Sequence, residues 1–250
     1  MSSPHDLAAE LLTAFRDPAP AAQGSRRPAT QPLVPLGPPV RFAPREQERS
    51  SLLTVLEQRR SVRFFSPGPV DASLVADVAA RGIAADVASW PDDQEQVPLQ
   101  VNVVAFRLDG LDPGMYSLDV GSGGGAERSY VKVAPLPEGE ALHALTIQRE
   151  FCDSAAIISL AADLDRASAL HGAHGYRTLM SRAGAAAYTM WLDAVAVGLV
   201  GSVFAGFIPA SVRQPLRSDG ASRHQIFALA LGGAPVQPPP MTPVPETGHR

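Results

Sequence analysis

Two guanidinium side chains and a hydroxyl stand in succession at Arg59-Arg60-Ser61, and Arg63 follows two residues later. Guanidiniums bind oxyanions through charge-assisted, often bidentate hydrogen bonds, so this run at a helix end can hold a phosphate, with Arg63 as a further cation. The plainer reading is that basic groups complement the negative end of the helix dipole. His171, between Leu170 and Gly172, offers different chemistry. An imidazole with an intrinsic pKa of about 6.5 suits removal of an acidic Cα proton near neutral pH; the plainer reading is an exposed loop histidine. The single cysteine, Cys152, reads as a small buried hydrophobe. One cysteine cannot form an internal disulfide, and no Cys/His ligand spacing is present, so a disulfide scaffold and a zinc module are excluded and no metal is expected. The glycine-rich run 121–125 lacks the strand-then-helix setting of a phosphate-binding fingerprint and reads as a long hairpin loop.

The elements that must position these groups follow from pattern. Ser51 can cap a helix whose apolar positions Leu52, Leu53, Val55 and Leu56 share a face, and that helix ends in the arginine run. After a break through Pro67-Gly68, Asp71 can cap a second helix bearing Leu74, Val75, Val78 and Ala79, with Gly82 as its stop. Residues 86–98 are polar and acidic and read as a loop, and residues 99–106 as a strand. Strands over 115–120 and 129–133 flank the glycine-rich run. A helix over 138–150 and a strand over 155–161 come next. Residues 175–199 read as one long helix, apolar at nearly every turn and therefore buried on most sides, with a subunit partner covering one face. A short helix from Pro209 and a strand over 225–231 complete an α+β order without a regular βαβ repeat.

Proline sets the boundaries. Of the 24 prolines, 15 fall in residues 1–45 and 235–250, so the ends cannot sustain long helices or central strands, apart from a short helix over residues 6–16. The expected organisation is a Pro/Ala-rich flexible extension over 1–49, one domain over 50–234 and a Pro-rich tail over 235–250. A formal charge of −4, with scattered basic residues, argues against nucleic acid as a partner. No apolar h-region opens the chain, and Asp193 interrupts the nearest approach to a membrane span, so a cytoplasmic protein without a membrane partner is expected.

Taken in order, Arg59-Arg60-Ser61-Val62-Arg63-Phe64, Pro113-Gly114-Met115-Tyr116, Gly175-Tyr176-Arg177, Ala183-Gly184, Gly198-Leu199 and Ala205-Gly206-Phe207 resemble the nitroreductase fold. Within it the closest resemblance is to the SagB-type dehydrogenases, which oxidise azolines in ribosomally made peptides. It covers about residues 50–234. It implies an α+β fold with a central, mainly antiparallel sheet flanked by helices, and a dimer that places FMN at the subunit interface. Carried onto this chain, it gives Arg59, Arg60, Ser61 and Arg63 to the FMN phosphate, the backbone near Ala205 and Gly206 to the flavin ring, and His171 to proton abstraction.

The chain also departs from that pattern. Where relatives rest the flavin ring on a Pro-Ser-Ala-Gly loop, this chain has Pro91-Asp92-Asp93-Gln94-Glu95-Gln96-Val97, whose carboxylates repel an anionic reduced flavin. The long helix carries Arg182, Ala185, Tyr188 and Thr189 where relatives have Glu, His, Gln and Asn. The Lys-Tyr pair of the azoline dehydrogenases aligns with Leu170-His171, and Gly232-Gly233 leads into Ala234-Pro235 with no basic residue. Three readings follow. One is an FMN-dependent dehydrogenase of a modified precursor peptide or a small-molecule substrate. The second is a degenerate, flavin-poor subunit that scaffolds an active enzyme, as a homodimer or as a heterodimer with a related subunit. The third is a nitro- or quinone-reductase using a nicotinamide donor.

Overall fold

The computed structural model describes residues 30–121 and 126–235, together with Asp6, Ala9, Glu10 and Thr13. The helix expected over 6–16 is helical at those four positions and otherwise lies outside the described residues, as do residues 122–125 of the glycine-rich run and the tail from 236.

Strand β1 (Val40–Phe42) is followed by α1 (Leu52–Gln58), β2 (Val70–Asp71), α2 (Ala72–Ser89) and α3 (Pro91–Gln96). Next come β3 (Gln100–Ala105), β4 (Leu108–Asp109), β5 (Gly114–Asp119), β6 (Arg128–Ala134) and α4 (Glu140–His143). A 3-10 turn at Arg149–Asp153 leads to β7 (Ala156–Ala162), α5 (Leu164–His171), α6 (Ala173–Ala196), β8 (Leu199–Phe204), α7 (Pro209–Val212) and β9 (His224–Gly233). Seven strands form one antiparallel sheet in the order β1-β6-β5-β3-β7-β9-β8, and β2 and β4 form a small parallel pair. The expected α+β class with an antiparallel sheet is what the chain adopts.

The buried strands read as near-continuous apolar runs because both faces of the sheet are covered. Helices α2 and α6 pack over one face, on Val101, Val103, Leu118, Ile158, Leu160 and Leu229. The other face, with Val104, Met115, Ile157 and Ala230, is covered by Leu145, Phe151, Phe207 and Leu216 from the irregular segments. Helix α6 is buried along Leu179, Ala183, Ala186, Ala187, Met190 and Ala194. It stops at Ala196 because Gly198, at φ +83°, turns the chain straight into β8.

Four local expectations differ from the structure. Gly82 does not stop α2 but lies inside it, where a Cβ would run into Met190 and come within 2.8 Å of the Ala186 carbonyl oxygen; the glycine lets α2 and α6 cross closely. Residues 91–96, expected within a loop, are helical as α3. The helix expected over 138–150 shrinks to α4 and the 3-10 turn. Residues 30–49 lie against the domain: β1 pairs with β6, and the Arg45 backbone N–H donates to Asp77 at 2.8 Å. No helix among the described residues is long and apolar enough to cross a membrane.

Candidate functional site

The arginine run sits where α1 ends. Ser51 Oγ accepts from the Thr54 N–H and starts the helix; Arg59 closes it with an extended ψ of 118°. Only Val55 of α1 is buried, so Leu52, Leu53 and Leu56 face outward. From this C-cap the Arg59 side chain crosses to α6, where Tyr188 and Trp191, at i and i+3, present neighbouring rings. Its Cζ lies 5.1 Å from the Trp191 ring centroid and 5.6 Å from that of Tyr188, and the two rings are edge-to-face at 6.0 Å. The Arg59 Nε is buried with no hydrogen-bond partner among the described residues.

Beyond Arg59 the chain runs along the edge of the sheet. Ser61 bridges to Gly201 of β8, the Val62 N–H donates to the Gly201 carbonyl at 3.1 Å, and Ser202 Oγ donates to the Val62 carbonyl at 2.9 Å. Arg60 and Ser61 are exposed, and Arg63 forms an exposed ion pair with Glu150 at 3.0 Å. Next to Glu150, Phe151 stacks on Phe204 at 4.5 Å, and Phe204 leads into Ala205 and Gly206 (φ +107°). The arginine run thus lies alongside β8, with Ser61 beside Gly201, and Ala205 and Gly206 follow the strand's last residue, Phe204.

His171 is not part of this group. It is the last residue of α5, half-buried, with Nε2 3.1 Å from Asp93 Oδ1 in an electrostatic contact that lacks hydrogen-bond alignment. It stands before the N-terminus of α6, whereas Arg59 lies against Tyr188, fifteen residues beyond Ala173; at about 1.5 Å per residue the two ends are roughly 20 Å apart.

Asp93 belongs to α3, whose helical form has a visible cause. Pro91 opens its first turn, and Asp92 and Asp93 there favour the positive end of the helix dipole. The decisive contacts come from α6. Arg182, about 1% exposed, donates Nε to Asp86 Oδ1 at 3.0 Å, Nη2 to Asp86 Oδ2 at 2.8 Å and to Gln94 Oε1 at 2.7 Å, and Nη1 to the Val97 carbonyl at 3.1 Å. Gln94 Oε1 also accepts from the Leu99 N–H at 3.0 Å. One arginine therefore fastens the end of α2, all of α3 and the entry to β3. The arginine that stands where the resemblance leads one to expect a glutamate is used for structure.

Other polar groups single themselves out less. Burial pushes the Cys152 thiol up, with a hydrogen bond from Thr146 opposing, which suits a structural residue. Tyr116 is buried and donates to the Asp112 carbonyl at 2.6 Å, while Tyr176 is exposed. A cavity of about 1510 Å³ opens between α2, the ends of β3 and β5 and the strap 44–49, lined by Arg45, Arg49, Ile83, Val87, Leu118 and Arg223 among others; neither the arginine run nor His171 borders it. Among the described residues no cluster of three His, Cys, Asp or Glu could hold a metal ion.

The model of the Nitroreductase family matches residues 56–233. No curated protein matches the chain. Among solved structures, a protein of Anabaena variabilis classed as a nitroreductase superposes with a TM-score of 0.59 at 21% identity, covering 73% of this chain and 38% of the other. One of Ralstonia eutropha gives 0.56 at 16% identity over 83% and 98% of the two chains. The NfrA1 nitroreductase from B. subtilis gives 0.50 at 15% over 75% and 67%. This chain thus spans little more than a third of the Anabaena protein and nearly all of the Ralstonia one. At such identities the likeness is one of fold.

Proposed function

The chain belongs to the nitroreductase family, and from that premise we propose that it is an FMN-dependent oxidoreductase that anchors the cofactor by its phosphate at Arg59, Arg60, Ser61 and Arg63. The observation that carries this reading is the half-buried Arg59 side chain, its Nε buried without a partner among the described residues, beside the exposed Arg60 and Ser61 along β8. A phosphate dianion supplies the acceptors these groups lack. The phosphate end therefore fits FMN. Bound there, FMN supplies a ring that takes up or returns a hydride equivalent. The chain's own part is to hold the phosphate and to offer the backbone at Ala205 and Gly206 to the ring. The left-handed turn at Gly206 is open there, with no atom within 4 Å of the place a Cβ would take.

The other end of α6 does not fit. The segment that the resemblance assigns to the ring is a pinned helix bearing Asp92, Asp93 and Glu95, whose carboxylates do not suit a reduced, anionic flavin ring. His171, as the base, stands at this end, and a site holding both it and Arg59 needs a second chain. Family members are typically homodimers, and the outward Leu52, Leu53 and Leu56 of α1 beside the exposed Tyr188 of α6 suit such a contact. As substrate we propose an azoline in a ribosomally made peptide, supported by the resemblance to the SagB-type dehydrogenases.

A second reading, a flavin-poor subunit serving as scaffold or partner of an active enzyme, is favoured by the Arg182-fastened α3. The two separate by experiment. Under the first, the FMN-loaded protein converts azoline peptides to azoles and Arg63→Ala lowers flavin occupancy. Under the second, the folded protein forms a stable assembly with another chain and turns over nothing. Consumption of NADH or NADPH with a nitroaromatic, and none with azolines, would assign a nicotinamide-driven reductase instead.

A further inference from the structure

Arg59 is usable as an anion receptor because of what it lies on. An arginine beside a carboxylate is neutralised, and one loose in solvent is disordered and hydrated; either weakens its grip on a ligand anion. Here the guanidinium rests over Trp191 and Tyr188, whose ring faces attract a cation without taking its hydrogen bonds. The edge-to-face pairing of the two rings fixes their mutual angle, and Trp191, 7% exposed, is held by the core. No carboxylate lies within ion-pair distance of Arg59 among the described residues, and its buried Nε is unpartnered. The contrast with Arg49, Arg128 and Arg182, each paired with an aspartate, is direct.

We infer that Tyr188 and Trp191 are positioning residues of the anion site. Their rings hold the Arg59 guanidinium in place without a counter-charge, so that its N–H groups meet a phosphate monoester together with Arg60 and Ser61. The inference rests on the phosphate reading of the arginine run and adds to it the reason why Arg59 is poised.

The test uses the full-length chain, with FMN, riboflavin and inorganic phosphate as probes. Replacing both rings, Tyr188→Leu with Trp191→Leu, is expected to weaken FMN binding about tenfold, the equivalent of removing cation–π contacts at a partly desolvated site. Tyr188→Phe and Trp191→Phe, which keep a ring face, should stay within about threefold of the parent, and riboflavin binding should be unchanged in all. Equal FMN affinity in parent and leucine variant would overturn the inference, as would a parallel loss for riboflavin. Because a leucine pair can disturb folding, the Arg59 Nε–H resonance of the unmodified chain gives a second reading. It should be ring-shifted, move on addition of phosphate, and keep its shift in Trp191→Phe. An Nε–H at the ordinary solvent-exposed position and indifferent to phosphate would also overturn the inference. If the folded chain binds phosphate but not FMN, the flavin reading fails while the cradle stands; if it binds neither, both fail.

Discussion

Two arginines that pack along α6, Arg182 from its middle and Arg59 against Tyr188 and Trp191 nearer its C-terminus, show what one residue type can be used for. Arg182 is sealed in the interior, its charge matched by Asp86 and its remaining N–H groups by Gln94 and a backbone carbonyl. Arg59 lies on two aromatic rings, with no counter-charge within reach among the described residues. A buried cation without a partner is costly, so interior arginine must be fully paired, and full pairing leaves nothing for a ligand. A cation on an aromatic cradle keeps its hydrogen-bonding edge available. The difference separates the half of the molecule that positions from the half that binds, and each half can be attacked separately.

The largest effect is expected at the sealed end. Arg182→Ala leaves Asp86 buried and unpaired and should cost about 3–5 kcal/mol in urea unfolding. Arg182→Met combined with Asp86→Leu should recover much of that, and if the double change is as damaging as the single one, the pairing is not what holds α3. The crossing between the two ends comes next. Gly82→Ala puts a methyl against Met190 and the Ala186 carbonyl and should destabilise by about 1–3 kcal/mol, seen as a lower Tm. At the open end, Arg59→Ala should leave Tm nearly unchanged while lowering FMN affinity about tenfold or more, the worth of a charged hydrogen bond. Arg63→Ala should do less, because Glu150 already takes part of its charge.

The smallest effect is one of pH at the start of α2. Burial raises the Asp71 pKa, but hydrogen bonds from Ser73 and the Arg45 guanidinium outweigh this and hold it below the usual carboxylate value. A pKa depressed in the folded state means that the cap's electrostatic contribution is present above the unfolded value, about 3.9, and fades as pH falls through the folded one. Asp71→Ala should therefore cost about 1 kcal/mol near neutral pH and progressively less below about pH 4, measured as unfolding midpoints across that range.

How much of this was legible in the sequence depends on where the determining contacts lie. Strands β3, β5, β6, β7 and β9 and helix α6 announce themselves because burial on both sides makes local runs of apolar residues. Ser51 and Asp71 are readable as caps because capping is local in the chain. Helix α3 is not readable, since Asp, Gln and Glu between two prolines look like a loop and the helix is secured by Arg182, distant in sequence. Gly82 inside α2 looks like a stop unless the crossing with Met190 is known. At the site, the arginine run was visible from its spacing, whereas its aromatic support was not, because Tyr188 and Trp191 look like two more apolar positions of a buried helix. Separation of His171 from that run likewise depends on the length of α6, which pattern gives, and on where α1 docks along it, which pattern does not.

The central claim, that the open end of the molecule holds a flavin by its phosphate, is met most directly by the visible spectrum of the purified chain after incubation with FMN, or separately with riboflavin, and removal of the excess by gel filtration. The account predicts a yellow protein carrying about one FMN per chain and almost no riboflavin. A folded protein that leaves the column colourless in both cases would contradict it.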